Sequence, residues 1–421
     1  MTAGLGTVAS APAAPARRRR RMSLPALLLV IAGGIVAVAL IRVITGADDL
    51  TSSGTVGAAL RLAVPIGMAG LGGLWAERSG VVNIGLEGML ILGTWGGAWA
   101  GWHWGPWAGV LAGVLFGALG GLLHALATVT FGVDHIVSGV AITILAGGLT
   151  RFLSALAYRN VPGAGVTQSP QVKPIGTASI PGISQPLQDL EKHHWFILSD
   201  VAGILRGLTV GVSWLAIVAV LLIPLSYWVL WRTRLGLRIR SCGENPQAAE
   251  SLGVNVYRMK YVAVIASGAF AGLGGAFLSE VAAGIYREGQ TNGRGYIGLA
   301  AMIFGNWRPG GLAAGAGLFG YTDALNLRSG GESVHALLLL LAVLLAAVGV
   351  WNAVRGRRIT AVVAIVTAGL LLWWFLATDR VPDEFVGFAP HLTTLLVLAL
   401  AAQRLRPPAA DGKPYRRGEA G

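Results

Sequence analysis

Long apolar runs separated by short polar or basic stretches follow one another along almost the whole of this 421-residue chain. As α-helices, runs of about 20 apolar residues match the thickness of a lipid bilayer. The pattern predicts eleven such spans, at residues 24–44, 56–75, 81–100, 107–130, 135–157, 209–231, 260–282, 310–328, 335–354, 358–378 and 388–404. A shorter apolar segment, 296–306, is predicted to enter the membrane as a re-entrant half-helix without crossing it. The expected fold is an all-α polytopic membrane protein.

The composition agrees with a lipid environment. Hydrophobic residues make up 54% of the chain and charged residues only 12%, whereas soluble domains carry about 25% charged residues. The formal charge of +13 is typical of nucleic-acid-binding proteins too, but the basic residues lie between apolar runs. Orientation in the membrane explains them better, so nucleic acid is not an expected partner. The single cysteine, Cys242, excludes an intrachain disulfide and a cysteine-cluster metal site.

The distribution of basic residues predicts the orientation of the chain in the membrane. If the half-helix counts as one passage, every strongly basic connection falls on the side of the N-terminus, including the arginine run 17–21. Positive residues favour the cytoplasmic side, so both termini are predicted to be cytoplasmic. Residues 1–22 are then a disordered, arginine-rich cytoplasmic tail, and residues 406–421 a second cytoplasmic tail. The proline-rich connection 158–208 is predicted to form an extended external lid.

The connection 232–259 contains the signals of a short helix on the cytoplasmic side. Asn245 is a preferred N-cap, Pro246 suits the first helical position and Gly253 suits the end. The stretch from Pro246 to Leu252 makes only about two turns at 3.6 residues per turn, and such a helix is marginal by itself. A small exposed helix of this kind on a membrane protein indicates a docking element for a soluble partner.

A second polar stretch, Trp75–Leu90, interrupts the apolar pattern. Asn83 and Glu87 are four residues apart, which places them on one face of a helix, although three glycines in the stretch disfavour an uninterrupted helix. Polar, broken segments at membrane depth are tolerated where they are buried in protein or line a cavity. Two interpretations stay open for this pair: it lines a solute pathway, or it forms hydrogen bonds between helices. For Glu77 and Arg78 a cytoplasmic turn is favoured over a place in the pathway.

One predicted span carries a stripe of small residues. Within 107–130 a glycine recurs at every fourth position, at Gly109, Gly113, Gly117 and Gly121. At helical spacing these glycines form one nearly flat face. Such a face lets a second helix approach closely, so the stripe indicates helix packing rather than binding.

Several segments resemble a known family. E-R-S-G-V-V-N-I-G-L-E-G-M-L at 77–90, D-H-I-V-S-G at 134–139 and L-G-L-R-I-R-S-C-G-E-N-P-Q-A-A-E-S-L-G-V at 235–254 are similar to permease subunits of bacterial ABC importers. The resemblance is to the nucleoside and simple-sugar branch, whose lipoprotein receptors are of the basic-membrane-protein type. The segment 293–311 resembles the second of that branch's two permeases. Q-A-A-x-x-x-G at 247–253 resembles the family's coupling-helix pattern, with Gln247 in place of glutamate.

The resemblance, which covers roughly 55–350, implies a bacterial plasma-membrane permease domain at 23–355 that includes the external lid and the coupling loop. Spans within 356–405 look additional. The implied partners are a cytoplasmic ABC ATPase, a second homologous permease, an extracellular lipoprotein receptor and the lipid bilayer. The implied solute is a nucleoside, with simple sugars such as ribose or galactose as the alternative. The expected ATPase-coupling residues are Glu244, Asn245, Pro246, Gln247, Ala248, Ala249 and Gly253, and the candidate pathway residues are Asn83, Glu87, Asn292 and Asn306.

The motifs that the chain lacks agree with a permease. No G-x-x-x-x-G-K-[ST] occurs, so ATP binding through a P-loop requires a separate subunit. The histidines form no ligand pattern, so neither a metal nor another cofactor nor a catalytic residue is expected. An ion-coupled secondary transporter could use Glu87, Asp134 or Asp323, but no convincing internal repeat supports it. An intramembrane enzyme would need clustered acidic or histidine pairs at one membrane face.

Overall fold

The computed structural model describes residues 24–382, 405–416 and 418, and two predicted segments, the tail 1–22 and the span 388–404, lie outside the described residues. The described chain is almost entirely helical. Its α-helices are α1 (Leu24–Thr45), α2 (Ser53–Arg78), α3 (Leu86–Trp104), α4 (Pro106–Ala125), α5 (His135–Tyr158), α6 (Ser184–Lys192), α7 (Leu198–Thr209), α8 (Trp214–Arg232), α9 (Arg234–Glu244), α10 (Pro246–Ser251), α11 (Val256–Phe277), α12 (Arg294–Phe304), α13 (Pro309–Val354) and α14 (Arg358–Ala377).

Short irregular elements complete the fold. Single π-helical turns extend α4 through Leu126–Thr130 and α11 through Leu278–Ala282, and a 3₁₀ turn at Asp48–Leu50 follows α1. Two strands of two residues each, β1 (Thr177–Ala178) and β2 (Val212–Ser213), pair antiparallel. They pair an inner part of the connection between α5 and α8 with the end of that connection.

Seven helical stretches of the described chain are long and apolar enough to cross a membrane: Ser53–Arg78, Pro106–Thr130, His135–Tyr158, Trp214–Arg232, Val256–Ala282, Gly330–Val354 and Arg358–Ala377. Each lies within a few residues of a predicted span, so the prediction of a polytopic helical membrane protein is confirmed. The number of eleven crossings stays a prediction. Helix α12 has 11 residues, about 16 Å at 1.5 Å per residue, which is half of a hydrocarbon core and fits the predicted half-helix.

Helices α2 and α11 form the centre of the molecule. About two thirds of the apolar window of α2 (67%) and 72% of that of α11 are buried, against 11% for α14. The two central helices pack against each other, and α3, α4, α12 and α13 surround them. Because α14 is almost fully exposed, it lies outside the packed centre.

The glycine stripe of α4 packs against α11, as its spacing predicts. Gly109, Gly113, Gly117 and Gly121 are all buried. A Cβ at Gly117 would overlap the carbonyl oxygen of Gly268 on α11. The two backbones therefore touch, and side-chain-free positions on both helices make that approach possible.

The connection 158–208, which the charge pattern predicts to be external, differs from the extended lid that its prolines predict. It contains α6 and α7, and α7 is anchored to the end of α1 by a buried ion pair between Asp200 Oδ1 and Arg42 Nε, 2.8 Å apart. Thr51 Oγ1 also donates to Asp200. The prolines do not oppose these helices, because all of them precede α6 or lie in its first turn, where proline is tolerated.

Candidate functional site

The polar stretch after α2 is a break between two helices. Helix α2 ends at Arg78, the chain turns at Gly80 with φ 83°, and α3 begins only at Leu86. The predicted turn after the charge pair is therefore present. The expectation that Asn83 and Glu87 share one helical face is wrong, because Asn83 lies in the non-helical segment before α3.

Asn83 lies deep in the protein. Its side chain is fully buried, and its Nδ2 donates a hydrogen bond to Ser267 Oγ at 2.9 Å. Ser267 is 11 residues beyond Val256, the start of α11, which corresponds to about 16 Å along the helix axis. Asn83 Oδ1 has no partner among the described residues. This asparagine links the broken segment to the middle of the central helix α11.

Glu87 fastens the half-helix to α3. Its side chain is buried, and its two carboxylate oxygens accept hydrogen bonds from the backbone amides of Gly293 (3.0 Å) and Gly295 (2.7 Å). Those amides belong to the N-terminus of α12, where a helix has unpaired N–H groups and a partial positive charge. A Cβ at Gly295 would lie 2.6 Å from the backbone of Glu87. Glycine at 295 is thus required for the contact.

The two other candidate pathway residues lie at opposite ends of α12. Asn292, with φ 45°, precedes the first turn and is exposed, next to the amide that binds Glu87. Asn306, with φ 54°, follows the last turn, and its Oδ1 accepts from the backbone amide of Arg406. The structure therefore brings Glu87 and Asn292 together, places Asn306 at the far end of the half-helix, and keeps Asn83 in the interior.

Hydrogen bonds between Trp307 and the side chains of Glu77 and Arg78 connect the far end of the half-helix to the end of α2. Trp307 Nε1 donates to Glu77 Oε2 at 2.5 Å, and the Arg78 guanidinium donates to the Trp307 carbonyl at 2.7 Å. Trp307 has φ 52°, an uncommon conformation for a bulky residue. Sequence reasoning missed this contact, since a left-handed tryptophan leaves no local signal in the sequence.

The short coupling helix forms as its capping residues predict. Asn245 Oδ1 accepts from the Ala248 amide at 2.9 Å, Pro246 occupies the first helical position, and Gly253 ends the turn with φ 82°. The structure places the end of the helix at Ser251, one residue before the predicted end. Its N-cap and termination are local, which is why the sequence predicts them well.

The two faces of the coupling helix differ in accessibility. Pro246 and Ala249 are buried against the protein's own core, so they hold the helix from beneath. The outward-facing residues are Glu244, Asn245, Gln247, Ala248, Ser251, Leu252 and Gly253. Leu252 is 85% exposed, which is a high value for a large apolar side chain. An exposed leucine in this position indicates a contact surface.

The surface around the coupling helix is basic, and its one thiol is inert. Exposed arginines on this face are Arg232, Arg234, Arg238, Arg258 and Arg308. Burial raises the pKa of the Cys242 thiol to about 11, so the reactive thiolate is scarce at neutral pH. Among the described residues no three His, Cys, Asp or Glu side chains form a group that could hold a metal ion.

Comparison with known proteins identifies the family. Residues 55–349 match the family described as "Branched-chain amino acid transport system / permease component". The chain belongs to this permease family. The resemblance seen in the coupling loop and the broken segment is thereby confirmed, and the family is one of transport permeases.

Three relatives place the permease further. It is 32% identical to the guanosine ABC transporter permease protein NupQ of Bacillus subtilis (strain 168), over 86% of this chain and 96% of the relative. It is also 32% identical to the nucleoside ABC transporter permease protein NupC of Lactococcus lactis subsp. cremoris, over 83% and 93%. The putative glucose ABC transporter permease protein TsgC13 of Haloferax volcanii is 32% identical over 66% and 78%. No solved structure matches the permease.

Proposed function

We propose that the permease forms part of an ATP-driven importer for nucleosides. The observation that carries this proposal is the match, over more than 80% of both chains, to two permeases named for guanosine and nucleosides. The match to a glucose permease covers 66% of this chain, so simple sugars remain the second candidate. The partners are a cytoplasmic ABC ATPase, a second permease of this family and a lipoprotein receptor outside the cell.

In this account the exposed face of α10 docks with the ATPase. The outward-facing Gln247, Ala248 and Leu252 form the contact, while Pro246 and Ala249 keep the helix seated on the permease. A six-residue helix is too short to be stable alone. Since Pro246 and Ala249 hold it on the permease core, the helix is expected to move together with that core. Transmission of motion from an ATPase requires such a rigid attachment.

The solute pathway passes the N-terminal end of the half-helix. A free helix N-terminus attracts anions, but here the Glu87 carboxylate already occupies it. The pathway is therefore suited to an uncharged solute rather than a phosphorylated one. Asn292 and Tyr296 are both exposed at this end. An amide and an aromatic ring complement the polar ribose and the flat base of a nucleoside.

The same contacts argue against an ion-coupled secondary transporter. The three carboxylates that could bind a coupling ion all have structural partners. Glu87 caps α12, Asp134 caps α5 through the amides of Ile136 and Val137, and Asp323 lies 4.0 Å from the Arg294 guanidinium. None of the three is free to exchange an ion during transport without loss of that contact.

The proposal is tested by expressing the permease with its genomic neighbours in a host that lacks nucleoside uptake. Labelled guanosine should accumulate only when the ATPase, both permeases and the receptor are present, and a P-loop lysine variant of the ATPase should abolish accumulation. Uptake that persists without the ATPase would overturn the proposed mechanism.

A further inference from the structure

The C-terminal segment 405–416 lies across the same face as the coupling helix. It begins beside the half-helix, where the Arg406 amide donates to Asn306 Oδ1 at 2.9 Å. It then passes the end of α9, where the Ala410 amide donates to the Gly243 carbonyl at 2.8 Å. A tail of this composition is expected to be solvated, so these backbone contacts with two separate elements need an explanation.

Tyr415 ties this segment to the coupling helix itself. Its hydroxyl donates to Glu250 Oε2 at 2.5 Å, and Glu250 belongs to α10. The tyrosine is 9% exposed, its ring centroid lies 5.5 Å from that of Tyr257, and Lys260 Nζ lies 5.8 Å from its centroid. The buried ring and its charge-assisted hydrogen bond fix the segment against α10 and the first turns of α11.

Asp411 connects the middle of the segment to Glu77 at the end of α2. Its carboxyl lies close to the buried carboxyl of Glu77, and the two groups interact electrostatically. Glu77 in turn accepts from Trp307, which follows the half-helix. The segment therefore touches the coupling helix at one end and reaches the half-helix both directly and through Glu77.

The segment is built to hold its shape. Pro407, Pro408 and Pro414 restrict its backbone, and Gly412 turns it with φ 73°. Restricted residues lose little conformational entropy when they dock. A stiff segment that is attached at several points transmits displacement better than a flexible one of the same length.

We propose that residues 405–416 form a coupling strap, which carries movement of α10 to the cytoplasmic end of the half-helix. The proposal rests on the proposed function, because α10 moves only if an ATPase drives it. Displacement of α10 pulls Tyr415, and the stiff segment shifts its contacts with Glu77 and Asn306. The half-helix then moves relative to Glu87 at its other end, where the solute passes.

The test measures uptake and ATP hydrolysis in the same proteoliposomes, with the complete complex and labelled guanosine. Tyr415→Phe removes only the hydroxyl that binds Glu250, and Glu250→Gln weakens the same bond from its other side. Both should lower the solute taken up per ATP hydrolysed by about fivefold, the lower end of usual couplings between sites. Lys413→Ala, which changes an exposed side chain of the same segment, should leave that ratio unchanged.

Two results would overturn the strap. Unchanged uptake per ATP in both Tyr415→Phe and Glu250→Gln would do so, as would a fall in uptake that only parallels a fall in assembled complex. Removal of residues 405–421 should reduce uptake, and increased uptake after that truncation would indicate an inhibitory tail instead. Failure of the proposed function is distinct, since the unmodified complex would then show no guanosine uptake or no association with the ATPase.

Discussion

The carboxylate of Glu87 lies 2.7 Å from the backbone amide of Gly295, and this bond joins the start of α3 to the half-helix across 208 residues of sequence. A second bond to Gly293 makes the carboxylate a cap for the whole helix N-terminus. The Gly295 amide is buried, so water cannot replace the carboxylate as its partner. The position of this end of the half-helix therefore depends on Glu87.

Replacement of Glu87 by leucine should destabilise the permease strongly. The buried Gly295 amide would lose its acceptor, at about 1–3 kcal/mol for an unsatisfied group, and the part-buried Gly293 amide would lose its acceptor too. Glu87→Gln, which keeps one acceptor oxygen, should lose less. The single buried thiol of Cys242 reports unfolding, because a thiol-reactive dye labels it only when the protein opens. If Glu87→Leu melts at the same temperature as the unmodified permease, the cap contributes nothing to stability.

The contact between α4 and α11 predicts a sharp difference between two glycines. Gly117→Ala places a methyl group into the backbone of Gly268 and Gly272, which should cost at least about 1–3 kcal/mol as overpacking. Gly147→Ala is the matched control, because no atom lies within 4 Å of its added Cβ. The same dye-based melting should show a clear loss for position 117 and no loss for position 147. Equal stability of the two variants would contradict the close packing.

The coupling helix offers a test of docking in which the fold is preserved. Ala248 is exposed and Ala249 is buried, so Ala248→Arg should block the ATPase contact, while Ala249→Arg should disrupt the permease itself. We expect Ala248→Arg to melt normally but to lose co-purification of the ATPase, and Ala248→Ser to retain it. Normal association and uptake in Ala248→Arg would exclude this face as the docking surface.

The sequence predicts the coupling helix well because its capping residues act on neighbouring residues of the same helix. Contacts between segments that are distant in the sequence cannot be predicted in this way. Asn245, Pro246 and Gly253 act within one or two turns of one another. The bond from Glu87 to the half-helix depends on how distant segments pack. The sequence therefore leaves open whether Glu87 lines the pathway or links helices, and the structure adds that both of its carboxylate oxygens accept hydrogen bonds from the half-helix.

The connection 158–208 and the C-terminal segment show the limits of reasoning from composition. Prolines in 158–208 predict an extended lid, but they precede α6 or lie in its first turn, where proline does not interrupt a helix. The polar tail 406–421 was predicted only as cytoplasmic, and its sequence does not indicate a buried Tyr415. Whether a tyrosine in a polar tail is buried depends on the residues it packs against, and here its hydroxyl binds Glu250.

Asp411 gives the strap a dependence on pH. Burial raises the pKa of its carboxyl from 3.8 to about 6, although contacts with Glu77 and the Gly412 amide, and the charges of Lys260 and Arg78, oppose that rise. Since the docked segment binds more protons than a free one between these values, docking should strengthen as the pH falls through about 6. A spin label at Lys413→Cys should therefore be less mobile at about pH 5 than at about pH 7.5.

The matched variant for this experiment is Asp411→Asn, which cannot lose a proton. Its spin label should show the same mobility at both pH values, because the neutral amide removes the titrating group of the segment. A pH-dependent mobility that persists unchanged in Asp411→Asn would assign the effect to another group.

The most direct test of the whole account is competition for uptake by the complete complex in proteoliposomes. ATP is supplied on the side of the bilayer that the ATPase faces. Uptake of labelled guanosine should be suppressed by excess unlabelled purine or pyrimidine nucleoside and should be unaffected by excess ribose, glucose or leucine. That pattern is what the exposed ring of Tyr296 at the Glu87-capped end of the half-helix predicts, because it can stack on a nucleoside base, which ribose, glucose and leucine lack. ATP-dependent uptake of ribose or glucose without any response to nucleosides would contradict it.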